Sequence, residues 1–146
     1  MVVIHILATI DKPRQIVQVT IMRPLGKMCY EGAELEEVRD AIGRGEDINK
    51  SYWNNTGLMW AVMEKRNSIV KLLLEQPTLD LNCIEGRHGR SALHFAAVSD
   101  NVEGARMLLA DPRLNTHNHK NNVGKTPVHY VLSPYGIWKL RILPKE

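Results

Sequence analysis

Histidines are the first residues to test for chemistry, and this chain of 146 residues has six. His117 and His119 are spaced to share a metal ion, but no cysteine or carboxylate stands near them at zinc-site spacing. Cys83 has no Cys-x-x-Cys partner and reads as an ordinary loop thiol, not a nucleophile. Gly124-Lys125-Thr126 ends like a phosphate-binding loop. That pattern needs a glycine five residues before Gly124, and the stretch from Asn118 to Val123 contains none. Paired carboxylates, a nucleophile elbow and a dinucleotide fingerprint do not occur. These absences predict a chain with no catalytic activity, no metal site and no cofactor. Any function must then lie in recognition, and recognition needs elements that hold its side chains in place.

The clearest elements surround Gly89-Arg90-Ser91-Ala92-Leu93-His94-Phe95-Ala96-Ala97, followed by Met107-Leu108-Leu109. Ser91 suits a helix N-cap, because its hydroxyl can accept from an otherwise unpaired backbone N–H. Ala96 and Ala97 are small enough for a second helix to come close. Val102, Ala105, Leu108 and Leu109 recur at helical spacing. The pattern also returns. Thr56, Ser91 and Thr126 lie 35 residues apart each time, as do Leu74 and Leu109, and Pro77 and Pro112. A period in this range marks stacked repeats. The spacing predicts helices over Glu34 to Ile42, Thr56 to Val62, Ser68 to Leu74, Ser91 to Val98 and Val102 to Leu109. Pro77 and Pro112 stop two outer helices, and Pro127 stands at the favoured first position of a further one. Pro24-Leu25-Gly26 reads as a turn. Gly104, inside an outer helix, costs about 1 kcal/mol relative to alanine.

Gly124-Lys125-Thr126-Pro127-Val128-His129 and the phrase from Gly89 to Ala97 resemble the Gly-x-Thr-Pro-Leu-His-x-Ala-Ala opening of an ankyrin repeat. The copy from Asn54 to Val62 lacks the glycine, proline and histidine. The family's outer-helix phrase is matched by Ile69-Val70-Lys71-Leu72-Leu73-Leu74, with Asp80-Leu81-Asn82 after it. The resemblance implies an all-α, helix-turn-helix solenoid with β-hairpin loops, made of two complete repeats flanked by partial ones. It divides the chain into a non-repeat segment over 1–29, a repeat domain over 30–132, and a degenerate repeat end or tail over 133–146. The resemblance allows the array to be one stretch of a longer one. His94 and His129 occupy the position where such repeats use a histidine to bond neighbouring backbone.

The resemblance also implies a concave binding face, made of hairpin tips and the exposed ends of inner helices. Carried over by the repeat phrase, its positions are Tyr52, Trp53, Asn55, Met63 and Glu64, then Arg87, His88, Arg90, Val98 and Ser99, then Asn122, Val123 and Lys125. Trp, Tyr and Arg concentrate binding energy at protein interfaces, so Tyr52 and Trp53 beside Arg87 and Arg90 form a candidate anchor cluster. The other reading has Trp53 packed in its own hairpin and both arginines solvated. The implied function is a non-catalytic scaffold for a protein partner. The alternative is stacking of nucleic-acid bases or a nucleotide on the same aromatics beside Arg87, Arg90 and Lys125. The resemblance further implies hydroxylation of Asn82 by an asparaginyl hydroxylase, since Leu74 and Asp80 stand at the preferred places before it. Against this, Asn82 can serve only to tie its hairpin through side-chain-to-backbone bonds.

Composition fits a folded domain, with 44% apolar and 24% charged residues. The net charge of +3 hides an acidic stretch over 31–50 and a basic end over 119–146. A balance this small argues against a nucleic-acid partner. Two cysteines are too few for a disulfide scaffold and suit the cytoplasm or nucleus. No apolar run reaches the length of a membrane span. Val2 to Ala8 reads as a short strand or a disordered leader, broken at Asp11-Lys12-Pro13. Ile137, Leu140, Ile142 and Leu143 read as a ragged outer helix after a break at Ser133-Pro134-Tyr135-Gly136.

Overall fold

The computed structural model describes residues 5–10, 15–20 and 23–131. Strand β1 (His5–Ile10) pairs antiparallel with β2 (Gln15–Thr20), with His5 opposite Thr20 and Ile10 opposite Gln15. Both strands are rich in the β-branched residues that favour extended backbone. The expected break at Asp11-Lys12-Pro13 and the expected helix and tail beyond residue 132 lie outside the described residues.

Among the described residues, seven helices follow: α1 (Leu25–Glu31), α2 (Leu35–Gly43), α3 (Gly57–Met63), α4 (Asn67–Leu74), α5 (Ala92–Ser99), α6 (Val102–Ala110) and α7 (Pro127–Val131). Odd-numbered helices pack side by side in one layer, and α2, α4 and α6 form the second. One shared core fills the space between, with Leu25, Met28, Leu58, Leu73, Leu93 and Leu108 almost fully buried. Pro24-Leu25-Gly26 is not a free turn: Pro24 is the N-cap of α1, and Leu25 and Gly26 begin the helix. Three helix pairs are therefore complete, one more than the sequence predicts. The physical reason is close packing between α1 and α3. A Cβ at Gly57 would lie 2.6 Å from Leu25 Cδ2. Gly57 fills the place held by Ala92 and Pro127 in the later repeats because Leu25 needs that space.

Each inner helix of a complete pair ends in a left-handed residue: Gly32, Lys65 or Asp100. The next N–H bonds back into the helix, as in Ala33 to Met28, Arg66 to Ala61 and Asn101 to Ala96, all at 2.8–2.9 Å. Lys65 takes φ 56° here, although its side chain gains nothing from that region.

Asparagines join consecutive repeats. Asn49 donates from Nδ2 to the Thr78 carbonyl (2.8 Å) and accepts at Oδ1 from the Asp80 N–H (2.7 Å). Asn82 repeats this with the Arg113 carbonyl (2.8 Å) and the Asn115 N–H (2.8 Å). Arg113 in turn donates to the Leu74 and Gln76 carbonyls at the end of α4, while Asp111 holds its guanidinium.

His94 is fully buried and joins α5 to the loop before α7. Its Nδ1 accepts from the Ser91 N–H (3.1 Å), which leaves Nε2–H to donate to the Lys125 carbonyl (2.8 Å). The neutral ring is thus required, and burial holds its pKa below the ordinary 6.5. Unfolded chains bind the proton first as pH falls, so this residue's contribution to stability is complete above about pH 6.5 and declines below it. The denaturant midpoint is expected to fall between pH 7.5 and 5.5, with a shallower fall in His94→Gln. Equal pH slopes for variant and parent would remove His94 from this role.

Candidate functional site

Three fingers link the repeats, and each closes by different means. The first is a two-residue hairpin in which Tyr52 and Asn55 exchange backbone bonds of 2.7 and 3.2 Å. Its central residues, Trp53 (φ 52°) and Asn54 (φ 67°), are both left-handed, as this tightest hairpin turn demands. The second and third fingers are not strand-paired hairpins. They curl around a buried side chain. Glu85, 4% exposed, accepts from the Arg87 and His88 N–H groups. Asn121 accepts from the Val123 and Lys125 N–H groups. Gly89 and Gly124 supply the left-handed residue that closes each of them.

Between the first two fingers and the inner helices lies a groove of about 430 Å³. Trp60 forms part of its floor, with Nε1–H fixed on the Tyr52 carbonyl at 3.0 Å. Tyr30 from α1 packs against Trp60, ring centroids 4.7 Å apart, and is half exposed. Phe95 from α5 continues the floor. Trp53 stands on the rim, 72% exposed, touching Tyr52 edge-on at 6.1 Å. Arg90 lies over both Phe95 (5.9 Å) and Tyr130 (6.0 Å), and Lys125 over Tyr130 (5.8 Å). Among the described residues, Arg87, Arg90 and Lys125 form no ion pair.

Of the positions named from the sequence, the groove gathers Trp53, Asn55, Met63, Arg87, His88 and Arg90. Tyr52 supports it from behind through contacts with Tyr30 and Trp53. Glu64, Val98, Ser99, Asn122, Val123 and Lys125 do not line it. Glu64 caps the end of α3, Ser99 bonds back to the Phe95 carbonyl at 2.7 Å, and Asn122 ties the third finger to the second through His88 and Arg87 carbonyls. Val123 is an exposed finger tip. Sequence reading missed Tyr30, Trp60 and Phe95. A signal for two of them was present: Trp60, Phe95 and Tyr130 recur at the same 35-residue interval as the N-caps. Aromatic type at that register marks the face that each inner helix turns to the fingers. Tyr30 gave no such signal, because α1 reads poorly as a repeat.

His119 donates from Nε2 to the Gly89 carbonyl at 3.0 Å and meets His94 edge-on at 6.0 Å. No group of three histidine, cysteine or carboxylate side chains is arranged to hold a metal among the described residues. Asn82 is half-buried, and an oxygenase acting on it would first have to open its bonds to Arg113 and Asn115. Cys29 is buried in the core, which pushes its thiol up to about 12, and burial with the nearby Asp80 raises Cys83 to about 11. Both are thus poor nucleophiles at neutral pH.

Two helical layers in register, joined by projecting fingers, define an α-solenoid. The family model for ankyrin repeats, in three copies, matches residues 25–118, and the chain belongs to that family. It is 34% identical over 82 residues to transient receptor potential cation channel subfamily A member 1 of Homo sapiens, covering 56% of this chain and 7% of that protein. It is 32% identical over 83 residues to BTB/POZ domain-containing protein 1 of Schizosaccharomyces pombe, covering 56% of this chain and 6% of that one. The chain thus spans less than a tenth of either relative's length. Ankyrin repeats are in general protein–protein interaction modules and typically non-enzymatic. No helix among the described residues is long and apolar enough to cross a membrane.

Proposed function

We propose that this chain is a non-catalytic scaffold that holds a protein partner in the groove between its first two fingers and the inner helices. The observation that carries the reading is Trp53, an exposed indole held in left-handed backbone on the rim of an aromatic floor. Bulky residues rarely adopt that backbone region, and strained residues cluster where a molecule meets its ligands. Arg87 and Arg90 add the side-chain type that, with Trp and Tyr, dominates binding energy. The cytoplasm or nucleus is the proposed location, since Cys29 and Cys83 are free thiols.

Replacing Trp53 and Arg87 together by alanine is expected to abolish most capture of the partner from native lysate while the helical circular dichroism signal stays unchanged. Lys71→Ala, on the exposed side of α4, is expected to leave capture intact. The opposite pattern moves the site to the outer helices. Capture of nucleic acid in place of protein, lost steeply as salt rises, favours base stacking instead.

A further inference from the structure

We propose that the groove takes an extended acidic peptide, with one bulky apolar side chain packed against Tyr30, Trp60 and Phe95 and flanking carboxylates paired with Arg87 and Arg90. This specifies the partner chemistry of the groove and rests on the groove being the partner site. A volume of about 430 Å³ lies within the range of pockets that enclose a small ligand. It admits one aromatic or long aliphatic side chain together with the backbone that carries it. Tyr30, 51% exposed, offers such an anchor most of its aromatic contact, and Trp60 and Phe95, 8% and 5% exposed, close the floor beneath it.

Charge selects the sign of the flanking residues. Arg87 and Arg90 line the groove and make no ion pair among the described residues. The one carboxylate in the lining, Glu85, is already engaged by two backbone N–H groups and lies 3.4 Å from the His88 ring. A cationic ligand therefore meets two guanidinium groups and an occupied acid, whereas a carboxylate meets two guanidinium groups that no acid among the described residues neutralises. Arg90 Nε, a donor, is buried without a hydrogen-bond partner among the described residues. Trp53 supplies the independent observation. Glycine or asparagine would suit φ 52° better, and the indole buries little of itself within the chain.

Phage-displayed random heptapeptides selected on the full chain test the proposal. Enriched sequences are expected to carry a Leu, Met, Phe or Trp beside Asp or Glu. A synthetic peptide of the enriched sequence is expected to lose about tenfold or more in affinity when its acids become amides, and again when it meets Arg87→Glu. Trp53→Gly is expected to weaken the same peptide while the thermal midpoint holds or rises, because glycine relieves the left-handed backbone. Enrichment of basic or purely apolar peptides whose binding is lost in Trp53→Gly overturns the acidic partner and leaves the groove as the site. Peptides that bind Trp53→Gly and Arg87→Glu as tightly as the parent overturn the groove itself. Absence of any enrichment overturns the acidic-peptide proposal, and lysate capture by the parent then decides the wider reading separately.

Discussion

Gly104→Ala is expected to destabilise the fold by about 2–4 kcal/mol, although helix propensity alone predicts a gain of about 1 kcal/mol. Gly104 lies in the first turn of α6, beneath the side chain that caps that helix. Asn101, 3% exposed, accepts from the Gly104 N–H at 2.9 Å. Its Nδ2 donates backwards to the Val62 carbonyl (2.9 Å) and to Asn67 Oδ1 (2.7 Å), which ties the third repeat to the second. A Cβ on residue 104 would lie 2.4 Å from that Nδ2 and 2.7 Å from Asn101 Cγ. The carboxamide must leave. The Gly104 N–H then loses its partner in a buried place, Asn67 loses its bond to Asn101, and the Val62 carbonyl keeps the Lys65 N–H (3.2 Å) and the Ser99 hydroxyl (3.4 Å). A double-mutant cycle isolates the cause. In an Asn101→Ala background the space is free, so adding Gly104→Ala there is expected to be neutral or mildly stabilising. If it costs as much as in the parent, the clash with Asn101 is not the mechanism.

Leu108→Ala is expected to cost about 2–5 kcal/mol, the range for emptying a closed core site. Leu108 is 0% exposed, on the face of α6 that meets α4 and α5. Its neighbour Leu109 is only partly buried, and Leu109→Ala is expected to cost clearly less. A denaturant titration of the three proteins reads both differences as midpoint shifts with an unchanged slope. Equal midpoints for Leu108→Ala and the parent would show that this side chain is not core. With a loss of this size, the variant has given up a large share of the stability a domain of this length possesses.

The sequence reads well wherever the determinant is local. Ser91 was legible as an N-cap because a hydroxyl before an apolar run has few other uses; Thr56 stands one period before it, and both accept from the N–H three residues on. Asp100 is of a residue type that tolerates left-handed backbone, and it takes φ 63°. For Gly104, propensity alone gives the sign opposite to the one expected from the structure, since its worth depends on Asn101, whose side chain a Cβ would meet at 2.4 Å. The first inner helix was misread as a turn, since Pro24 and Gly26 are local breakers and the packing of Leu25 on Gly57 is not local.

For the groove the division is the same. The sequence by itself determined the period, the order of inner and outer helices, and which finger carries Tyr52, Trp53, Arg87 and Arg90. Periodicity and capping act between residues one to four apart, so they are written in the order of the chain. Only the tertiary structure decided that Trp60 and Phe95 face the fingers, that Tyr30 joins them from α1, and that Lys125 and Val123 fall outside the groove. It alone placed Trp53 in left-handed backbone and set Glu85 among the N–H groups of its own finger. Those outcomes depend on how neighbouring repeats stack, through contacts between residues roughly one repeat apart in the chain. One chain read in order does not display such contacts.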